Sequence, residues 1–281
     1  FRMNSALSEV FGHHGILLYG CIPFSACHVI LERKLPQEFE PRSVIIFAIP
    51  YFPGERSNRN LSLYAVPRDY HCYFKEALPS LCADLRAAFP QGQFVGYTDN
   101  SPIDERHAAA LAGLGRYGDN WLLITKEYGT FVFLAEFLSD RTPQQLGETG
   151  TLHAVEECLH CGKCKEACPM LHNPFGIKEC LSALTQKKQP LTEQEIQYIK
   201  HYKSAWGCDL CQAACPYNRA ILESGTPRAL PFFLQQQIFR LTYADVAQMP
   251  QDIFADRAYA WRGRKTILRN LALLEEDAAG K

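Results

Sequence analysis

No stretch of the 281-residue chain stays apolar long enough to cross a membrane. The longest apolar runs, residues 44–49 and 131–134, are strand-sized, against the roughly 20 residues a spanning helix needs. Nor does an apolar h-region build up near the start, where Ser8, Glu9, His13 and His14 interrupt it. No export signal is therefore expected, and the cytoplasm is the expected compartment. An excess of charge is missing too: Lys+Arg 29 against Asp+Glu 30 leaves a formal net charge of -1. Nothing global attracts nucleic acid or an anionic membrane, although a local basic surface remains open. Low-complexity tracts are absent, and the only internal repeat is a pair of cysteine motifs.

What the chain has is cysteine, and it is unevenly spread. Of 12 cysteines, Cys21, Cys27, Cys72 and Cys82 stand at no ligand spacing and read as small buried residues. The rest fall between Cys158 and Cys215. In a reducing compartment that density points to metal rather than to disulfides. Cys158-x-x-Cys161-x-x-Cys164-x-x-x-Cys168-Pro169 is the bacterial ferredoxin run, whose fourth cysteine serves the other cluster in two-cluster proteins. A second half follows as Cys208-x-x-Cys211-x-x-x-Cys215-Pro216, with Cys180 available upstream as its missing ligand. By pseudo-symmetry one 4Fe–4S cluster takes Cys158, Cys161, Cys164 and Cys215, and the other takes Cys168, Cys180, Cys208 and Cys211. Two structural zinc sites are the competing reading. The third cysteine at equal spacing, the crossed fourth one and the two prolines favour iron–sulfur.

The cysteine-poor first part alternates strands and helices. Residues 43–50 form a continuous apolar run rich in Val and Ile, a buried strand. Residues 15–22 and 93–98 are further strand candidates, and 122–125 with 130–138 flank a hairpin loop at 126–129. A helix is expected over 70–89, with Pro79 kinking or breaking it. A second is expected from Pro102, capped by Ser101 and stopped by Gly113 or Gly115. A mixed sheet covered by helices follows. The polar stretch 142–151 reads as a linker. In the second part, Thr192 and Glu195 form a capping box opening a helix to about Lys203, and residues 264–276 read as a closing helix. The expected domains are 1–150, 151–224 and 225–281.

Three features of the first part stay ambiguous from residues alone. Gly113, Gly115 and Gly118 have dinucleotide-loop-like spacing but follow a predicted helix rather than a strand, so a helix end with a turn, or a loop against a large flat cofactor, fits better. Arg68, Asp69, Tyr70 and His71 crowd polar groups at a helix start, as a cap or as a site. Asp99 ends a predicted strand, as a turn residue or as a general acid.

Taken together these motifs resemble the epoxyqueuosine reductase family. The carriers are Tyr64-Ala65-x-x-Arg68-Asp69-Tyr70-His71, Asp99-x-x-Pro102-x-x-Glu105-Arg106, Ala112-Gly113-Leu114-Gly115-x-x-Gly118 and Gly129-x-Phe131-x-Phe133-Leu134-x-Glu136. The cysteine runs, Glu179-Cys180-Leu181, Gly207-Cys208-Asp209-x-Cys211-Gln212, and Arg269-Asn270-x-Ala272 add to them. The resemblance implies an α+β fold: a nitroreductase-like α/β cobalamin domain, a ferredoxin-like two-cluster module and a short helical C-terminus. It implies a cobalamin-dependent oxidoreductase that converts epoxyqueuosine to queuosine in tRNA, fed by reduced ferredoxin or flavodoxin. It matches Asp99 to the family's proton donor, and Arg68–His71 and Gly113–Gly118 to stretches around the cobalamin. It also supports Cys180 as a ligand. A pocket of corrin and apolar walls would raise the pKa of Asp99 by desolvation.

Departures from the family pattern are Pro67 for glycine, Asp119 for lysine and Arg116 for an aromatic. Many members also carry a C-terminal helical-repeat region that helps hold tRNA, which is not seen before Lys281. A related reductase of a small, possibly halogenated, organic substrate is therefore a second expectation, and a bicluster electron-transfer protein a third. Arg257, Arg262, Arg264, Lys265 and Arg269 are either phosphate contacts or a solvated helix face.

Overall fold

A computed structural model describes residues 5–279, and packing divides them into two compact units. The first runs to Pro50 and resumes with His71–His160; the second takes Tyr51–Tyr70 and the chain from Cys161 onward. The segment 51–70 thus packs with the cysteine-rich part of the chain, and the ferredoxin run straddles the junction after His160.

The first unit contains α1 (Ala6–His13), β1 (Leu18–Pro23), most of β2 (Ser43–Phe52), α2 (Tyr70–Ala88), β3 (Phe94–Thr98), α3 (Glu105–Leu111), β4 (Arg116–Tyr117), β5 (Leu123–Ile124) and β6 (Val132–Ser139). The sheet order is β1-β2-β6-β3. The expected mixed sheet is corrected: β1 with β2, β2 with β6 and β6 with β3 all pair antiparallel. The strand–helix–strand alternation does make β2 and β3 parallel, but β6 lies between them and opposes both.

Strand β2 reads as one apolar run because both its faces are covered. Side chains alternate across a strand. Val44, Ile46 and Ala48 share a buried cluster with Leu138 and the alanines of α3, Ala108, Ala109 and Ala110. Phe47 points the other way, its ring 5.2 Å from Phe11, 6.3 Å from Phe74 and 6.1 Å from Phe137. Each valine, isoleucine, leucine or phenylalanine among them contributes about 1.5–3 kcal/mol by leaving water.

Two other expectations are corrected. α3 begins at Glu105, not Pro102, because Asp104 caps it, accepting from the Arg106 and His107 amides at 3.2 and 3.3 Å. Ser101 is occupied elsewhere: its hydroxyl donates to Glu136. The hairpin shrinks to one bridge, Thr125 with Gly129, since β5 pairs with β4 while β6 belongs to the large sheet. Pro79 breaks nothing; it lies on the exposed side of α2, where water can satisfy the carbonyl it leaves unbonded.

The second unit is short helices: α4 (Lys163–Glu166), α5 (Pro169–His172), α6 (Leu181–Thr185), α7 (Glu193–Tyr202), α8 (Leu210–Ala213), α9 (Arg219–Ser224), α10 (Tyr243–Gln248), α11 (Gln251–Ala255) and α12 (Arg264–Ala279). A two-residue β7 (Arg228–Ala229) pairs antiparallel with Tyr51 and Phe52 at the end of β2. The capping box of α7 is present, with Lys203 ending the helix at φ 51°. Trp206, Tyr259, Ile267 and Leu271 belong to one core, and Leu181, Leu184, Tyr198 and Ile199 form a smaller one. Among the described residues no helix is long and apolar enough to cross a membrane.

Candidate active site and cluster ligands

Strand β3 delivers Asp99 to a tight turn. Asp99 adopts φ 60°, and the Ser101 amide closes back on the Asp99 carbonyl at 2.6 Å. Aspartate tolerates this left-handed conformation better than most side chains do. The Asp99 carboxylate is 63% exposed, with Oδ2 3.6 Å from Nε2 of His71, itself 52% exposed at the start of α2. The fold thus brings together two site residues 28 positions apart and leaves the acid open to a ligand.

The remaining predicted cofactor residues are placed as follows. Arg68, Asp69 and Tyr70 lie in the second unit, and Gly113, Gly115 and Gly118 in the first. The Arg68 guanidinium binds Asp256 at 2.7 Å and lies over the Phe232 ring at 4.6 Å. Asp69 is buried, its amide bonded to the Asp256 carbonyl. Each of the three glycines is required by neighbouring protein. Gly113 ends α3 at φ 76°. A Cβ there would meet the His153 ring at 2.7 Å, and one at Gly115 would meet the Ile124 carbonyl oxygen at 2.5 Å. A Cβ at Gly118 would collide with the Asn120 side chain.

Both charged departures in this loop are matched within the same unit. Arg116 pairs with Glu156 at 2.8 Å, and Asp119 accepts from His160 Nδ1 at 2.8 Å. His160 Nε2 also lies 2.8 Å from Glu157, and the two carboxylates raise its pKa through these bonds. The Cys158 amide bonds the Tyr117 carbonyl at 3.1 Å, which ties the first predicted ligand to β4 within the first unit.

In the second unit, helix starts and prolines present the thiols. Cys168, Cys180 and Cys215 each stand at the residue before a helical turn, with Pro169 and Pro216 in the first helical position. Cys164 and Cys211 lie on α4 and α8. None of the twelve cysteines is in a disulfide. The thiols of this unit lie close enough to act on one another: Cys161 and Cys164 on Cys215, Cys211 and Cys180 on Cys208, and Cys180, then Cys168, then more weakly Cys164 on Cys211. Burial pushes the Cys208 thiol up to about 12 and Cys211 to about 11, so ligation must displace a tightly held proton. Amides of Tyr217 and Asn218 point at the Cys215 sulfur, and that of Leu210 at Cys208. Hydrogen bonds of this kind tune cluster potentials.

Sequence reasoning missed two constellations. Buried Asp209, between two ligand cysteines, binds Arg59 at 2.7 Å, Ser62 at 2.5 Å, the Leu63 amide at 2.8 Å and Gln212 at 3.1 Å. Burial raises its pKa, and these donors oppose the rise. The second is Glu105 with Glu136. Its signal was readable: Glu136 is an acid within the apolar run of β6.

The basic cluster is resolved differently from a phosphate surface. Arg257 is buried and donates to the Gln236 carbonyl at 2.7 Å; Arg269 donates to the Lys187 carbonyl at 2.7 Å and Gln189 at 3.1 Å. Arg264 donates to the Val246 carbonyl and to Gln251. Three of the five arginine and lysine side chains thus hold the chain together.

An α+β unit with an open acid turn, followed by seven cysteines at ferredoxin spacing with Cys180 between the two runs, defines a two-cluster iron–sulfur protein of the reductase type. Residues 157–218 match a family described as "4Fe-4S double cluster binding domain", and residues 33–100 one described as "Epoxyqueuosine reductase QueG, DUF1730". The epoxyqueuosine reductase of Listeria monocytogenes is 29% identical over 268 residues, covering 88% of this chain and 68% of the relative. That of Gloeobacter violaceus is 37% identical over 191 residues, covering 63% and 56%. That of Synechocystis sp. is 33% identical over 201 residues, covering 67% of each. The chain belongs to the epoxyqueuosine reductase family. In fold it is similar to an epoxyqueuosine reductase structure from Streptococcus thermophilus, with TM-score 0.76 at 21% identity over 98% of this chain and 82% of that one. It is similar also to an epoxyqueuosine reductase solved with an epoxyqueuosine-modified tRNA-Tyr stem loop, with TM-score 0.74 at 21% identity over 97% and 82%.

Proposed function

We propose that this chain reduces the epoxide of epoxyqueuosine in tRNA to give queuosine, using two 4Fe–4S clusters and cobalamin. The observation that carries the reading is the combination, in a member of this family, of the eight-cysteine array with an exposed Asp99 turn. The residues suit both groups. Eight thiols outside any disulfide suit the clusters, and the action of Cys161 and Cys164 on Cys215, and of Cys180 and Cys168 ahead of Cys164 on Cys211, supports the crossed assignment. Cys158 and Cys208 complete the two sets in that assignment. The open polar surface of His71 and Asp99 suits a ligand against the first unit. Arg68–Tyr70 and the Gly113–Gly118 loop remain the family-matched cobalamin stretches.

Converting the epoxide to an alkene takes two electrons and two protons and releases the oxygen as water. When bound, cobalamin would supply the strongly reducing centre for the C–O bond, with the cluster cysteines holding the groups that would bring electrons one at a time. Asp99 Oδ2 delivers a proton to the departing oxygen. His71 Nε2 lies 3.6 Å from that oxygen, on the same exposed surface. A reduced ferredoxin or flavodoxin in the cytoplasm is the proposed electron source. The substrate reading is favoured over a small organic molecule because Arg116 and Asp119 are paired within the chain, to Glu156 and His160. The test is turnover of an epoxyqueuosine-containing anticodon stem loop by reconstituted protein. Queuosine should form. No product from protein holding both clusters and cobalamin would remove tRNA as the substrate.

A further inference from the structure

Below the Asp99 turn lie two carboxyl groups that the reaction does not use. Glu136 is 0% exposed at the centre of β6, opposite Ile46 on one side and Tyr97 on the other. Glu105, the first residue of α3, is partly shielded as a residue, but its Oε1 is out of solvent. The two carboxyls hydrogen bond to each other. Among the described residues, Glu105 Oε1 and Glu136 Oε2 have no protein donor. Two buried carboxylates in contact cannot both ionise without a cation, and a single shared proton supplies the missing donor.

Both acids also hold the turn. The Asp99 amide donates to Glu105, and the Ser101 hydroxyl donates to Glu136 Oε1 while accepting from the Ile103 amide at 3.1 Å. From outside, Lys34 Nζ donates to the Asn100 carbonyl at 2.7 Å, and the Tyr97 hydroxyl to the Lys34 carbonyl at 2.7 Å.

We propose that Glu105 and Glu136 are a proton-sharing pair that anchors the 99–101 turn, and thereby act as positioning residues for Asp99. The anchoring stands on the hydrogen bonds above; its catalytic consequence rests on the reading of Asp99 as the acid.

The pair makes the anchor pH-dependent. Burial, then Glu136, raise Glu105 well above the usual carboxylate range, and burial brings Glu136 to about 7. A carboxyl raised on folding stabilises below its unfolded value near 4.5 and loses that contribution as pH rises through the folded value. Above neutrality the shared proton leaves and the two buried carboxylates repel; the Asp99 and Ser101 bonds favour the charged forms and oppose this, and the repulsion at contact outweighs them and opens the turn. The other titratable groups facing the pair stay neutral there. Cys27 is pushed to about 12 by burial and by Glu136, and Tyr97 is raised by burial, Glu136 and Glu38. The Asp99 carboxylate raises Glu105 further through its charge.

The test is amide hydrogen exchange across residues 99–103 of the cluster-loaded full chain, corrected for the intrinsic rise with pH. In the unmodified protein, exchange at Asp99 and Ser101 should accelerate about tenfold from about pH 6 to about pH 9, the loss of one hydrogen bond to a charged group. Turnover of the unmodified protein should fall over the same range as the turn opens; in Glu136→Gln and in Glu105→Gln an amide donor replaces the shared proton, so both the acceleration and the fall should vanish. Identical corrected profiles in the unmodified protein and both variants would overturn the proposal. The unmodified profile alone tests it if either variant fails to fold. The Asp99 reading fails separately: exchange as expected, with full turnover by Asp99→Asn, would leave the anchor and remove its catalytic consequence.

Discussion

The two units are held by different physics. In the first, a four-strand sheet is covered on both faces, and apolar alternation alone accounts for it: Ile46 and Phe47, neighbours in sequence, enter opposite packed layers. In the second, helices of four to six residues carry or flank the thiols, and the apolar residues gather in two separate clusters. Helices that short do not persist on backbone hydrogen bonding. Ligand bonds therefore contribute folding free energy there, and they contribute none to the sheet.

The sharpest way to break this comparison is to remove the iron. Anaerobic chelation should unfold residues 161–215 locally, read as lost exchange protection, while β2 and β6 amides stay protected. Equal loss in both units would contradict the difference. Next in size is catalysis: Asp99→Asn should keep its clusters and lower turnover by about 10²–10⁴-fold, the contribution of a positioned acid. Unchanged turnover takes Asp99 out of the mechanism. Smaller again is Asp209→Ala, which strands Arg59, Ser62 and the Leu63 amide around a buried gap. A cost of about 3–5 kcal/mol in denaturant unfolding is expected, as for other broken buried pairs. The smallest effect belongs to Arg116→Gln, whose partner Glu156 is 60% exposed. At most about 0.5 kcal/mol should be lost, and a larger loss would mean the cofactor loop depends on that pair.

The same difference explains what the sequence made legible. β2, β1 and β3 could be read because burial on known periods leaves a pattern, and α7 because its capping box is local. The cysteine ligands were legible because cluster chemistry fixes spacing. What escaped was decided by partners distant in sequence. Ser101 is a good N-cap in isolation, but Glu136 takes its hydroxyl and Asp104 caps the helix instead. Residues 130–138 suit a hairpin, but β6 is placed between β2 and β3, positions set by the whole sheet. Arg257, Arg264 and Arg269 look like a solvated basic face until the carbonyls they bind are known. Glu105 and Glu136 are 31 positions apart, and nothing local announces that they share a proton.

The account turns on cobalamin meeting a two-cluster protein. The direct measurement is an anaerobic cobalamin titration of cluster-reconstituted protein, followed by electron paramagnetic resonance of the cobalt(II) state. Saturable binding with a cobalt signal whose axial ligation differs from free cobalamin is the predicted result. No change in that signal, with both clusters intact, would contradict the reductase reading and leave the chain as an electron-transfer protein.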